Sequence, residues 1–129
     1  MRKILVIGAG RSSSSLIKYL LDKSTEENLQ IIVADVLKET AEKKVQDHKN
    51  GIAIALNVFD DKSRASAIKN VDIVVSMLPA RFHVDVAKDC LTFKKNMVTA
   101  SYISKEMKAL DADVKKNGLV FMNEIGLDP

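Results

Sequence analysis

The fold is decided by the stretch Lys3-Ile4-Leu5-Val6-Ile7-Gly8-Ala9-Gly10-Arg11-Ser12-Ser13, close to the start of the 129-residue chain. Its first half is a β-rich apolar run without polar alternation, which is typical of a parallel strand buried on both faces. Gly8 then permits a tight turn, and Gly10 lets the main chain approach a diphosphate with no Cβ in the way. The helix predicted to follow presents unpaired N–H groups and its positive dipole end at the same place. The stretch therefore predicts a strand, a turn and a helix that hold a dinucleotide.

Two serines complete this motif. Ser12 opens the helix, and Ser13 stands where the pattern Gly-x-Gly-x-x-Gly prefers a third glycine for close packing of helix on strand. Serine is small enough for that position, and its hydroxyl can bond a phosphate oxygen. A P-loop is excluded because no Gly-Lys-Ser/Thr follows. The alternative is a glycine-rich turn without a ligand.

Beyond the motif, short apolar runs alternate with amphipathic stretches along the whole chain. Strands are predicted at residues 3–7, 30–34, 52–56, 71–77, 96–100 and 119–122. Helices are predicted at residues 12–22, 38–48, 60 or 61 to 69, 82–93 and 104–118. This alternation predicts an α/β fold of three layers, a doubly wound parallel sheet of about six strands between helices, which is the NAD(P)-binding Rossmann fold. We expect residues 1–129 to form one such domain.

Composition excludes several other classes of protein. Hydrophobic residues make up 47% and charged residues 29%, as in ordinary globular domains. The apolar run at residues 71–78 is too short to span a bilayer, and the run at 4–7 is too short for a signal peptide. The net charge is +3, but the lysines are dispersed and aromatic residues are only 5%. We therefore expect neither a membrane partner nor a nucleic-acid partner.

The single cysteine and the two histidines predict no metal site. Cys90 rules out a disulfide within the chain, which favours a reducing, cytoplasmic setting. At its helical position Cys90 is expected to be a small core residue rather than a reactive thiol. His48 and His83 have no partner at metal-ligand spacing, and a helix surface is the expected place for each.

Polar residues at the predicted strand ends are the candidates for cofactor contacts. Asp35 ends the second strand, 27 residues after Gly8, where a carboxylate binds the ribose hydroxyls of NAD and repels the 2′-phosphate of NADP. Its alternative role is to start a turn or cap the next helix. Arg11 complicates the preference for NAD, because it can reach toward a 2′-phosphate. Asn57 ends the third strand and either bonds the adenine edge or forms a turn, and Pro79 either borders the cofactor or only stops the fourth strand.

The chain resembles the N-terminal domain of the saccharopine dehydrogenase family (glutamate-forming, also called saccharopine reductase). The likeness covers essentially the whole chain and is most specific at its end. It is carried by Gly8-Ala9-Gly10, Ser76-Met77-Leu78-Pro79 with Phe82-His83, Val98-Thr99-Ala100-Ser101-Tyr102 and Met122-Asn123-Glu124-Ile125-Gly126-Leu127-Asp128-Pro129. What the resemblance implies is an NAD(P)-dependent oxidation of saccharopine to L-glutamate and 2-aminoadipate 6-semialdehyde.

The resemblance also implies where cofactor and substrate bind. Substrate would meet Ser101 and Tyr102, and Tyr102 and Asp128 are the candidates for catalytic proton handling. The cofactor would lie along Gly8, Gly10, Arg11, Ser12, Ser13, Ala34, Asp35, Val36, Asn57, Val58, Ser76, Met77, Leu78, Thr99, Ala100, Gly126, Leu127 and Asp128.

Three departures limit what the resemblance implies. Family members that use NADP carry a basic residue where Val36 stands, so the Asp35-Val36 pair indicates NAD. Asn57 replaces a common aspartate. The chain ends in a loop directly after a strand, which we interpret as an N-terminal fragment whose substrate domain is absent and which is inactive alone.

Alternative functions are a dehydrogenase for another amino-acid-derived imine, such as carboxynorspermidine, and a non-catalytic NAD(P)-sensing module. A homodimer is retained as one arrangement, although no motif encodes the oligomeric state.

Overall fold

The computed structural model describes residues 2–8, 13–78, 83–99 and 121–122, and these form one parallel sheet with helices. The strands are β1 (Arg2–Ile7), β2 (Leu29–Asp35), β3 (Gly51–Ala55), β4 (Ile73–Ser76), β5 (Asn96–Thr99) and β6 (Phe121–Met122). The helices are α1 (Ser14–Glu27), α2 (Lys38–Val45), α3 (Asp61–Lys69) and α4 (His83–Thr92).

The sheet order is β3-β2-β1-β4-β5-β6, and every neighbouring pair is parallel. The chain moves outward from β1 through β2 to β3, and then crosses to the other side of β1 to form β4, β5 and β6. The direction of winding therefore reverses between β1 and β4, and a parallel doubly wound sheet opens a ligand crevice at the carboxyl ends of the strands at that point. The predicted fold class is confirmed.

The central strand β1 has a core on each face because successive side chains of a strand point to opposite sides. Ile4 and Val6 join the core beneath α1 and α2, whereas Leu5 and Ile7 join the core beneath α3 and α4. Each fully buried aliphatic side chain of this kind stabilises the fold by roughly 1.5–3 kcal/mol. The apolar run that predicted a doubly covered strand therefore has that role.

Helix α1 buries Ile17 and Leu21, two members of the apolar stripe that predicts it. It runs to Glu27, and the predicted end near residue 22 was wrong. Ser24 continues the inward stripe because its hydroxyl donates to the carbonyl of Leu21 at 2.6 Å, which lets a polar side chain lie buried. Asn28 then ends the helix in the left-handed conformation at φ 55°.

Helix α2 buries Ala41 and Val45 as predicted, but ends at Val45 rather than near residue 48. Gln46 and Asp47 adopt left-handed φ values of 51° and 56°, which stop the helix about three residues before its predicted end.

Helix α3 begins after Asp60, whose carboxylate accepts the backbone N–H groups of Lys62 and Ser63 at 3.1 and 3.3 Å. This is one of the two predicted caps. Ile68 is buried, as predicted, while Ala65 is only half-buried. In α4, Val86 and Cys90 are buried as expected. The predicted helix at residues 104–118 lies outside the described residues.

Candidate functional site

The turn after β1 is held tightly between its two neighbouring strands. The Gly8 N–H donates to the carbonyl of Ala34 at 2.8 Å, and the Met77 N–H donates to the carbonyl of Ile7 at 2.8 Å. Gly8 has φ +100°, and a Cβ there would lie 3.3 Å from both the carbonyl carbon and the oxygen of Met77. The turn therefore needs glycine at this position for its own geometry.

The start of α1 lies next to this turn. Ser13 is the residue before the helix and is 1% exposed, so the short side chain lets helix and strand pack closely, which is the role inferred for a third glycine. The Lys44 ammonium of α2 donates to the Ser14 hydroxyl at 2.5 Å, and this brings a positive charge to the first turn of α1. This charge, together with the positive end of the helix dipole, favours an anion beside the helix start.

The end of β2 combines a buried alanine with a fixed carboxylate. Ala34 is fully buried, and Asp35 is half-buried with its Oδ1 accepting the Leu37 N–H at 3.2 Å. The turn-starting role weighed for Asp35 is therefore present, and it holds the carboxylate at the carboxyl edge of the sheet. Val36 beside it is 68% exposed, so this apolar side chain faces solvent.

The segment between β3 and α3 is a hydrogen-bonded turn. The side-chain oxygen of Asn57 accepts the Phe59 N–H at 3.0 Å, and its carbonyl accepts the Asp60 N–H at 3.0 Å. The turn-forming role weighed for Asn57 is thus present. That oxygen keeps one lone pair for a second hydrogen bond, and the amide nitrogen of Asn57 is a donor that it can offer a cofactor. Val58 is half-buried and packs against the core beneath α3 and α4.

The ends of β4 and β5 lie side by side at the same edge. Ser76 pairs in register with Ile7 on one side and with Thr99 on the other, and the side chains of Ser76 and Thr99 are fully buried. Met77 packs with the core beneath α1 and α2, while Leu78 packs with the core beneath α3 and α4. The structure therefore brings together, along one edge, the described candidates Gly8, Ser13, Ala34, Asp35, Val36, Asn57, Val58, Ser76, Met77, Leu78 and Thr99.

Arg64 is a residue behind this edge that the sequence patterns did not single out. Its side chain is 7% exposed, and its three nitrogens are all engaged. Nε donates to Asp89 at 2.6 Å, Nη2 to Asp61 at 2.9 Å and Nη1 to the carbonyl of Val58 at 2.5 Å. Burial disfavours its charge, but the hydrogen bonds and charges of Asp89 and Asp61 outweigh that effect and raise the pKa of Arg64. Its spacing of four from the buried Ile68 was the available signal, since both lie on one helix face.

Several candidates cannot be placed. They lie outside the described residues and are Pro79 and the predicted site residues Gly10, Arg11, Ser12, Ala100, Ser101, Tyr102, Gly126, Leu127 and Asp128.

Two cavities lie against the helices, one reaching Ser14 at the start of α1 and the other reaching Ala55 at the end of β3. One, of about 310 Å³, lies between α1 and α2 and is lined in part by Lys18, Lys43 and Lys44. The other, of about 520 Å³, lies between β3 and α3 and is lined largely by apolar side chains.

Within residues 2–8, 13–78, 83–99 and 121–122, no group of three His, Cys, Asp or Glu side chains is arranged to hold a metal ion. In the same ranges no helix has the length and apolar character needed to cross a membrane.

Comparisons with known proteins agree with this geometry. A family model described as the saccharopine dehydrogenase NADP binding domain matches residues 4–122. Saccharopine dehydrogenase (NADP(+), L-glutamate-forming) of Pyricularia oryzae is 34% identical over 128 residues, covering 99% of this chain and 28% of that protein. Mitochondrial alpha-aminoadipic semialdehyde synthase of Bos taurus is 33% identical over 129 residues, covering 99% of this chain and 14% of that protein.

A solved structure shows the same likeness. The apo histidine-tagged saccharopine dehydrogenase (L-Glu forming) of Saccharomyces cerevisiae matches with a TM-score of 0.88 and 30% identity. The match covers 100% of this chain and 28% of that one, so the chain spans less than a third of these relatives. With residues 4–122 matching the family model, the chain belongs to the saccharopine dehydrogenase family, as its nicotinamide-cofactor-binding domain.

Proposed function

We propose that this chain is the cofactor-binding part of an enzyme that oxidises saccharopine to L-glutamate and 2-aminoadipate 6-semialdehyde. The observation that carries the proposal is the Gly8 turn, fixed at φ +100° between the ends of β2 and β4 where the winding of the sheet reverses. Family membership, and the names of relatives that act on saccharopine, support the choice of substrate.

In this proposal the protein binds and orients, while the bound nicotinamide group supplies the hydride acceptor. The main chain of the turn and the start of α1 hold the diphosphate, because backbone N–H groups and the helix dipole favour an anion there. Asp35 accepts the ribose hydroxyls, and the amide nitrogen of Asn57 donates to the adenine edge. Gly10, Arg11 and Ser12 complete the diphosphate site.

The remaining proposed roles follow the family resemblance. Ser76, Met77, Leu78, Thr99 and Ala100 line the path of the cofactor toward the reacting carbon, and Gly126, Leu127 and Asp128 close it. Ser101 and Tyr102 contact saccharopine. Tyr102 and Asp128 handle the proton released when the secondary amine becomes an imine.

We further propose that the cofactor is NAD rather than NADP. Asp35 supports this preference, because its carboxylate is held at the end of β2 by the Leu37 N–H, where it meets the ribose hydroxyls and repels a 2′-phosphate. Val36 brings no positive charge to offset that repulsion. The Pyricularia relative is named for NADP(+), so this preference is a difference that experiment must establish.

The cofactor test compares two aspartates at opposite ends of the sheet. Asp35→Ala should narrow the preference for NAD over NADP by roughly tenfold, since a repulsion of about 1.4 kcal/mol is lost. Asp72→Ala is the matched control, because Asp72 also accepts a main-chain N–H, that of Lys3 at 2.7 Å, but at the amino end of β4. Both dissociation constants are measured by titration calorimetry. A clear NADP preference in the unchanged protein would overturn the assignment.

The substrate test is turnover by the complete protein. Saccharopine should be oxidised with NAD, and glutamate should appear in equal amount. Turnover of carboxynorspermidine in place of saccharopine would show another imine-forming dehydrogenase. Cofactor binding without turnover of either compound would favour a sensing module. A homodimer and a cytoplasmic setting stay predictions, and the bovine relative is named as mitochondrial.

A further inference from the structure

Behind the proposed adenine side of the cofactor site, one buried cation joins three parts of the chain. Arg64 is the fourth residue of α3. Its guanidinium donates to the carbonyl of Val58 in the β3–α3 turn, to Asp89 in α4 and to Asp61 in its own helix. The side chain is 7% exposed and Asp89 is 18% exposed, so this ion pair is largely shielded from solvent. Asp61 is 87% exposed, so its ion pair with Arg64 adds little stability and mainly orients the guanidinium.

The contact with Val58 is the one that bears on the site. Val58 lies between Asn57 and Phe59, inside the turn whose ends are closed by the Asn57 side chain and the Asp60 cap. Its carbonyl accepts from Nη1 of Arg64 at 2.5 Å. This hydrogen bond from a buried cation restricts the orientation of the peptide unit that contains the Val58 carbonyl. Because Asn57 is the preceding residue, the bond also restricts the main chain of Asn57.

A guanidinium is suited to this task and an ammonium is not. The planar fork of arginine donates in several fixed directions at once, whereas lysine carries a compact charge on a flexible stem. At this position the directions are divided among a turn, a neighbouring helix and the helix itself. Through Asp89, in the second half of α4, the same residue also ties the β3–α3 turn to the neighbouring helix.

We propose that Arg64 is a positioning residue that sets the β3–α3 turn, and through it Asn57, for the adenine half of the cofactor. The inference rests on the proposed cofactor site and adds a residue that touches neither cofactor nor substrate. Its consequence is selective: losing the contact with Val58 weakens binding of the adenine half and leaves the nicotinamide half unaffected.

The test uses Arg64→Lys, which keeps a positive charge beside Asp89 but cannot also reach Val58. The protein is titrated with AMP and, separately, with nicotinamide mononucleotide, and binding is followed by NMR. We expect AMP to bind on the order of tenfold more weakly in the variant, the effect of one hydrogen bond to a charged group. The dissociation constant of nicotinamide mononucleotide should stay the same.

Ile68→Val is the matched control. Ile68 is fully buried one turn further along α3, so the variant loosens the packing of the same helix and leaves the hydrogen bonds of the β3–α3 turn in place. It should bind AMP like the unchanged protein. Asp89→Asn provides a second variant, which keeps Arg64 but removes the charge that orients it, and should weaken AMP binding in the same direction by a smaller factor.

The outcomes separate this inference from the proposed function. Unchanged AMP binding in Arg64→Lys, or an equal loss in Ile68→Val, would overturn the positioning role while leaving the cofactor site in place. Equal weakening of both fragments in Arg64→Lys would also overturn it, because that result indicates general destabilisation. If the unchanged protein binds none of AMP, nicotinamide mononucleotide and NAD, the proposed cofactor site itself is contradicted.

Discussion

Replacing Gly8 with alanine tests the turn on which cofactor binding depends. At φ +100° a residue with a Cβ is strained by roughly 1–3 kcal/mol. The new Cβ would lie 3.3 Å from the carbonyl carbon and oxygen of Met77, and these are main-chain atoms held by the bond from the Met77 N–H to Ile7. Since the backbone gives way less easily than a side chain, overpacking adds roughly 1–3 kcal/mol. We expect the free energy of unfolding to fall by about 2–6 kcal/mol in total.

Urea unfolding measures that loss, and titration with NAD in the absence of urea measures cofactor affinity. Gly51→Ala is the matched control, because its Cβ would lie 2.5 Å from Cγ1 of Val45 and 3.1 Å from Cδ2 of Leu21. The buried side chains of Val45 and Leu21 must shift to admit this Cβ, but Gly51 lies at the opposite, amino end of β3, away from the cofactor site. We therefore expect Gly51→Ala to lose about 1–3 kcal/mol of stability with unchanged affinity for NAD.

In Gly8→Ala, affinity for NAD should fall together with stability. The reasoning would be refuted by a Gly8→Ala protein as stable as the unchanged one. A comparable loss of NAD affinity in Gly51→Ala would equally refute it.

Two further predictions concern the core. Ile17→Ala should lower the free energy of unfolding by roughly 2–5 kcal/mol because Ile17 is fully buried on the inner face of α1. Tyr19→Ala, at a position 60% exposed on the same helix, should change it by less than about 0.5 kcal/mol. Urea unfolding of both variants checks this, and equal losses would contradict the assigned inner face. Burial, assisted by the charge of Asp89, raises the pKa of the Cys90 thiol to about 12. At pH 8 it should therefore react with Ellman's reagent only as fast as the protein opens, and rapid reaction in the native state would contradict its burial.

The strands were the most predictable part of the fold. Continuous apolar runs such as Ile4–Ile7 are typical of parallel strands covered on both faces, so the position of these strands is encoded locally. The predicted bounds differ from the observed ones by no more than two residues. Helix ends were less predictable. The end of α1 depends on Ser24, which is polar in sequence but buried through its own bond to the Leu21 carbonyl. A hydropathy pattern does not contain that bond.

The sequence pattern indicated the part of the candidate site that the glycine turn and the strand ends form. It did not indicate the buried ion pair of Arg64 that lies behind that site. Gly8 and Asp35 were singled out because the dinucleotide-binding pattern places a glycine and a carboxylate at that spacing, and both lie at the carboxyl ends of their strands. Their contacts with a cofactor stay predictions. Asn57 and Asp35 were each given two alternative roles, and the turn-forming one is present in both. Arg64 was missed because an arginine in a short polar helix is usually exposed. Its burial depends on Asp89, 25 residues away in the chain, and on a carbonyl that sequence does not place.

The most direct measurement is a crystal structure of the protein with bound NAD. We expect the diphosphate to lie against the main chain of the turn after Gly8 and the start of α1, with the adenosine ribose at Asp35. Dinucleotide bound instead in the lysine-lined cavity between α1 and α2, with the Gly8 turn bare, would contradict the assignment of the site.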